Sequence, residues 1–228
     1  AVIIGEVWED GSNKIAYGVR RRHILGGHCD GLMNYPFRNA LLSFLLGEDA
    51  FRFRQAMETL RENYPPFAWR SAMNFLGTHD TPRILTLLGA GGEYRDQSRD
   101  WRAAFRMSSG QYALGKARLK LGALVIFAFP GSPMVYYGDE AGMEGFEDPF
   151  NRRTYPWGRE DGELLEWYTA LGKARRALPA LRRGELELYR AIREAVPIVD
   201  AALMKLVRLC GGVQVRCGAG AAQAGLER

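Results

Sequence analysis

Apolar positions along this chain fall into two kinds of run. Short apolar stretches break off at a polar or turn-forming cluster: the β-branched "AVIIG" (1–5) before Glu6, "CDGLMNY" (29–35), "MNFLG" (73–77) before "THD", and "ALVIFAF" (123–129) before "PGSP". Runs of this kind predict buried strands whose carboxyl ends emerge at a polar rim. Between them the spacing turns helical. In 49–62, Phe53, Met57 and Leu60, with Tyr64 just beyond, recur every three or four residues; Asp49 is a natural N-cap and Pro65-Pro66 a stop. Segments 108–123 and 162–178 also read as helices. Strands alternating with helices predict a parallel α/β fold. The connections 81–107 and 130–161 are long enough to be functional loops. From about residue 184 the pattern fades, ending in the Gly/Ala-rich "CGGVQVRCGAGAAQAGLER". The chain therefore divides into a folded segment, 1–183, and a divergent or truncated C-terminal segment, 184–228.

Composition narrows the class. The 228 residues are 47% hydrophobic and 25% charged, as in a soluble globular protein. The net charge of +5 is spread over 31 basic and 26 acidic side chains, so no nucleic-acid surface is expected. The longest apolar run, "LGALVIFAFPG", is too short to span a bilayer, and no membrane partner is expected. Three cysteines without a CxxC pair favour a reducing, cytoplasmic setting. "AVIIGEVWED" has neither an initiator Met nor a leader profile and reads as the inside of a domain.

The chemistry is suggested by acids. Glu6 and Asp80 each directly follow a strand-like run, so in a parallel sheet both carboxylates project from one rim, although each could also simply cap a turn. Two converging acids suit glycoside cleavage, which needs a proton donor for the leaving oxygen and negative charge against an oxocarbenium-like transition state. Trp8 and Trp157 could stack on sugar faces, His79 could bond sugar hydroxyls, and Asp148 and Arg152 flank a proline in the last long loop. Competing motifs are incomplete. "LGAGGEY" lacks the lysine of a phosphate loop, "CGAGAAQAG" has Gln223 where a dinucleotide fingerprint wants glycine, and no GxSxG occurs. His23, His28 and Cys29 lack metal-ligand spacing, so no metal and no cofactor is expected.

"IIGEVWED", "DGLMNYPFRNAL", "LRENYPP", "NFLGTHDTPRILTLLG" and "FPGSPMVYYGDEAGMEGFEDPFNRRTYPWG" together resemble the α-amylase family of glycoside hydrolases, in its neopullulanase, cyclomaltodextrinase and maltogenic amylase branch. The resemblance runs from residue 1 to about 184. It implies the C-terminal half, strands five to eight, of a (β/α)8 barrel, with "AVIIGE", "CDGLMNY", "MNFLGTHD" and "ALVIFAF" as those strands. It further implies Glu6 as general acid/base, Asp80 as transition-state stabiliser, His79 as its sugar-binding neighbour, Trp8 on the leaving-group side, and Asp148 and Arg152 on the non-reducing side. The implied substrates are α-glucan oligosaccharides: maltodextrins, cyclodextrins or pullulan. The family's nucleophile lies in a G-x-R-x-D segment, and none occurs here. An inactive fragment needing a missing N-terminal half barrel, or self-associating, is therefore expected. The alternative is a non-catalytic maltodextrin-binding or subunit-like half barrel. Thr78 stands where Asn or Ser is more usual before the His-Asp pair.

Overall fold

The computed structural model describes residues 1–26, 28–91, 94, 96–183, 185–188 and 213–216. Strand β1 (Ile4–Gly5) is followed by a small hairpin of β2 (Ile15–Ala16) and β3 (Val19–Arg20). The hairpin's turn residues Tyr17 and Gly18 both take left-handed backbone, φ 54° and 73°, the geometry of a tight primed turn. Next come β4 (Gly31–Leu32) and helices α1 (Tyr35–Leu45), α2 (Ala50–Asn63) and α3 (Pro66–Ser71). Strand β5 (Met73–Asn74) leads to α4 (Ile84–Ala90), α5 (Arg99–Ala104) and α6 (Ser109–Ala128). Strand β6 (Ser132–Pro133) then precedes α7 (Gly162–Ala177) and α8 (Ala180–Arg183).

The caps follow from local chemistry. Asp49 accepts from the Phe51 N–H at the start of α2, as its sequence position suggests, and Asn34 accepts from Phe37 N–H to start α1 with Pro36 in its first turn.

Strands β1 and β4 pair in parallel, as do β5 and β6, and a parallel bridge between Met33 and Met73 joins the two pairs. The strands therefore run side by side in the order β1-β4-β5-β6. Two buried asparagines reinforce the seam: Asn34 Nδ2 donates to Asn74 Oδ1 at 2.9 Å, and Asn74 Nδ2 donates to the Pro130 carbonyl at 2.7 Å. Helices α1, α2, α4, α6 and α7 bury one continuous core against this seam, centred on Phe37, Leu41, Phe53, Leu85, Leu119 and Phe129.

The strand expected at 123–129 is not a strand. "ALVIFA" forms the last third of α6, and the fourth parallel strand is β6, a few residues later. The physical reason lies at both ends of that helix. Ser108 and Gln111 form a reciprocal capping box that launches α6, and no proline intervenes before Phe129. Helix α6 then packs against α1, α4 and α7, so it lacks the single polar face that marks a helix in sequence. Close approach between α4 and α6 depends on Gly115, where a Cβ would stand 2.7 Å from the Leu85 carbonyl oxygen.

Within 184–228, β7 (Glu185–Leu188) and β8 (Val213–Arg216) pair antiparallel. The rest of that segment, including the Gly/Ala-rich end, lies outside the described residues. Among the described residues no helix is long and apolar enough to cross a membrane.

Candidate functional site

Parallel pairing places the acids that follow β1 and β5 beyond the same, carboxyl-terminal ends of the strands. Glu6 is the first residue after β1 and is exposed. Its Oε1 accepts a hydrogen bond of 3.1 Å from the Tyr35 hydroxyl. Asp80 lies on the turn that follows β5, where its own N–H donates to Thr78 Oγ1 at 3.2 Å. Both acids bear on one group, the Tyr35 hydroxyl, Glu6 through this hydrogen bond and Asp80 through its charge. Burial first, then the charges of Glu6 and Asp80, push that phenol up to about 12 against a lowering hydrogen bond from Thr78. Tyr35 therefore stays protonated, and a donor, at any ordinary pH.

The other sequence-derived residues mostly gather at Asp80. His79 Nε2 lies 3.2 Å from Asp80 Oδ2, and Arg152 Nη2 lies 3.5 Å from Asp80 Oδ1. Arg152 also holds Asp148, Nε to Oδ1, at 3.0 Å. All four side chains are substantially exposed, so each pair contributes at most about 1 kcal/mol and can yield to a ligand's hydroxyls. Trp8 stacks on the Tyr35 ring, centroids 3.9 Å apart and planes at 20°, while remaining 48% exposed. Trp157 does not join them: it is 81% exposed, its ring neighbour is Tyr155 at 4.6 Å, and no contact among the described residues ties it to Glu6 or Asp80.

Behind the rim lies a buried layer that sequence reasoning missed. Arg83 is fully buried, with its guanidinium 4.4 and 4.5 Å from the ring centroids of Tyr136 and Tyr137. Its Nη1 donates to the Tyr137 carbonyl and to Asp139 Oδ1, the latter at 3.4 Å. Burial pushes the Asp139 carboxyl up to about 7, with Arg83 pulling the other way. Asp139 in turn lies against Gly77, where a Cβ would stand 2.7 Å from Oδ2. Asn151 completes the support by donating to the carbonyls of His79 (2.7 Å) and Thr81 (2.8 Å). Arg83 follows directly on the quoted "THDTP", and Asp139 falls inside "YYGDE", but only a fold that joins positions 56 apart reveals them as one unit.

Among the described residues no cluster of three or more His, Cys, Asp or Glu could hold a metal. Cys29 is a free, half-buried thiol. Cys210 and Cys217 lie outside the described residues.

No family model matches the chain. Individual proteins do. It is 36% identical over 199 residues to an amylopullulanase of Thermoanaerobacter thermohydrosulfuricus, covering 82% of this chain and 12% of that protein. It is 33% identical over 203 residues to a cyclomaltodextrinase of Geobacillus thermopakistaniensis, covering 87% of this chain and 29% of that protein. Among solved structures, the cyclic α-maltosyl-(1→6)-maltose hydrolase of Arthrobacter globiformis in complex with maltose superposes with a TM-score of 0.65 at 28% identity, over 84% of this chain and 37% of that one. The chain thus spans well under half the length of each of these proteins. Over the part of them that it spans, this chain is, by sequence and by fold, a homologue of the α-amylase-family glycoside hydrolases.

Proposed function

We propose that these residues form the acid/base side of a retaining α-glucan-cleaving site, with β1, β4, β5 and β6 as strands five to eight of an eight-stranded barrel. The observation that carries the reading is that Glu6, bonded to the Tyr35 hydroxyl, and Asp80 both follow strands of one parallel set, beyond the same strand ends. Glu6 is exposed, is hydrogen-bonded through one oxygen, and has its second oxygen available to protonate the leaving glycosidic oxygen. Asp80, flanked by His79, grips hydroxyls of the sugar ring as it flattens toward an oxocarbenium ion. Asp148 and Arg152 hold the glucose unit on the non-reducing side, and Trp8 offers its open face to the sugar on the leaving-group side. The amylopullulanase and cyclomaltodextrinase relatives support maltodextrins, pullulan and cyclodextrins as the substrate class.

A retaining mechanism also needs a carboxylate nucleophile about 5–5.5 Å from the acid. No G-x-R-x-D segment occurs in the 228 residues, so the nucleophile comes from outside them. The chain alone is inactive, and two unclosed strand edges make it prone to associate. The test is release of reducing sugar from pullulan or cyclodextrin by the pure chain, alone and after addition of the first-half barrel of a cyclomaltodextrinase. Turnover is expected only in the mixture, and Glu6→Gln there should lower it about 100-fold or more. Clear turnover by the unaided chain would overturn the reading, and glucan binding without any restored turnover would favour a binding module instead.

A further inference from the structure

We propose that Tyr35 is a positioning residue: it holds one oxygen of the Glu6 carboxylate and so fixes which oxygen of Glu6 faces a substrate. The inference rests on the reading of Glu6 as proton donor and names the group that aims it.

The Tyr35 ring is immobilised on several sides. It opens α1 behind the Asn34 cap, is fully buried, carries the Trp8 indole on one face at 3.9 Å, and meets Phe75 edge-on at 4.9 Å and 83°. Its hydroxyl donates to Glu6 Oε1 at 3.1 Å. A carboxylate can only accept, so the hydroxyl proton points at Glu6. The consequence for Glu6 is asymmetric: Oε1 is anchored by a rigid donor, and Oε2 is left to carry the proton to a leaving group. The same ring supports Trp8, so the sugar-stacking surface and the acid keep one fixed relation to each other.

A tyrosine that merely fills space would make no difference to Glu6 when its hydroxyl is removed. Tyr35→Phe keeps the ring and removes only the hydroxyl, whereas Trp8→Leu removes the stacked indole and leaves the hydroxyl in place. The experiment is carbon-13 NMR of the full 228-residue chain labelled at glutamate carboxyl carbons, at one fixed neutral pH, with the Glu6 resonance assigned by its loss in Glu6→Gln. Tyr35→Phe should displace the Glu6 resonance while the Trp8 indole N–H signal stays in place, and Trp8→Leu should displace it by less. An unmoved Glu6 resonance in Tyr35→Phe overturns the proposal. Should Tyr35→Phe also move Trp8, Trp8→Leu decides: a Glu6 displacement there as large as in Tyr35→Phe overturns it as well. These readouts need no turnover, so they fail or succeed independently of the glycosidase reading. In the reassembled barrel, Tyr35→Phe should lower kcat about tenfold, the worth of one hydrogen bond to a charged group, with KM unchanged. A change confined to KM would contradict it.

Discussion

Replacing Arg83 with methionine tests how the turn bearing Asp80 is held from behind. Methionine keeps much of the length and the apolar contact with Tyr136 and Tyr137 but removes the charge. Asp139, only 2% exposed, then loses its one ion-pair partner among the described residues. Removing one member of a buried pair costs about 3–5 kcal/mol, because the other is left charged in a poor solvent. Loss of the stacking of the guanidinium on two tyrosine rings adds about 1–2 kcal/mol. The penalty has an escape route, since Asp139 can take a proton. Its folded-state value is raised from the ordinary 3.8 to about 7 by burial, so between those values the native chain holds a proton that the unfolded chain has released. Stability from this group is therefore fully present below about pH 4 and is lost as pH rises through about 7.

The prediction is correspondingly two-sided. Arg83→Met should cost about 4–7 kcal/mol at about pH 8, where Asp139 is ionised, and about half that at about pH 5.5, where a proton replaces the guanidinium. Arg83→Met combined with Asp139→Asn should recover much of the loss at the higher pH and flatten its pH dependence. Urea denaturation followed by circular dichroism at the two pH values measures this, with the slope against urea checked for constancy. The reasoning is refuted if Arg83→Met costs under about 1 kcal/mol at the higher pH, or if the double variant is no more stable than Arg83→Met alone.

The remaining predictions concern the elements that present the site. Gly115→Leu forces a side chain against the Leu85 carbonyl and should destabilise by about 2 kcal/mol or more in the same urea assay. Ser108→Ala removes the capping box of α6 and should cost about 1 kcal/mol. Glu6→Gln and Asp80→Asn change exposed groups beyond the strand ends and should each alter stability by less than about 0.5 kcal/mol, whatever they do to turnover.

Much of this architecture was legible because it is written in local signals. The Asp49 cap with Phe53, Met57 and Leu60 marked α2, the apolar run stopping at Glu6 marked a strand end, and the run before "THD" marked a strand, although β5 stops at Asn74 rather than Gly77. Local signals also misled. "ALVIFAF" is β-branched, aromatic and unbroken, so it has a strand's composition, and only the helices surrounding α6 explain why it is helical. The hairpin at 15–20 was silent in the sequence because its turn is Tyr17-Gly18 rather than Asn-Gly. The rim acids could be read because a strand end is a local event. Tyr35, Arg83 and Asp139 could not, since each acquires its role from a partner that folding brings from far along the chain.

That difference decides which acid the chemistry belongs to. By protonation behaviour alone Asp139 is the most attractive general acid, a carboxyl raised to about 7, which is the property sought in a proton donor. Its surroundings argue otherwise. It is walled in by Gly77, the Arg83 guanidinium and the Tyr137 backbone, with no exposed oxygen to offer a glycosidic bond, and its raised value comes from that same enclosure. Glu6 has the opposite character: an exposed carboxylate at a strand end, held through one oxygen, beside an open tryptophan face. Reach comes before proton affinity, because a group that cannot come within hydrogen-bond distance of the leaving oxygen cannot protonate it at any pH. The buried pair is therefore the foundation of the turn that carries Asp80, and the proton transfer falls to Glu6.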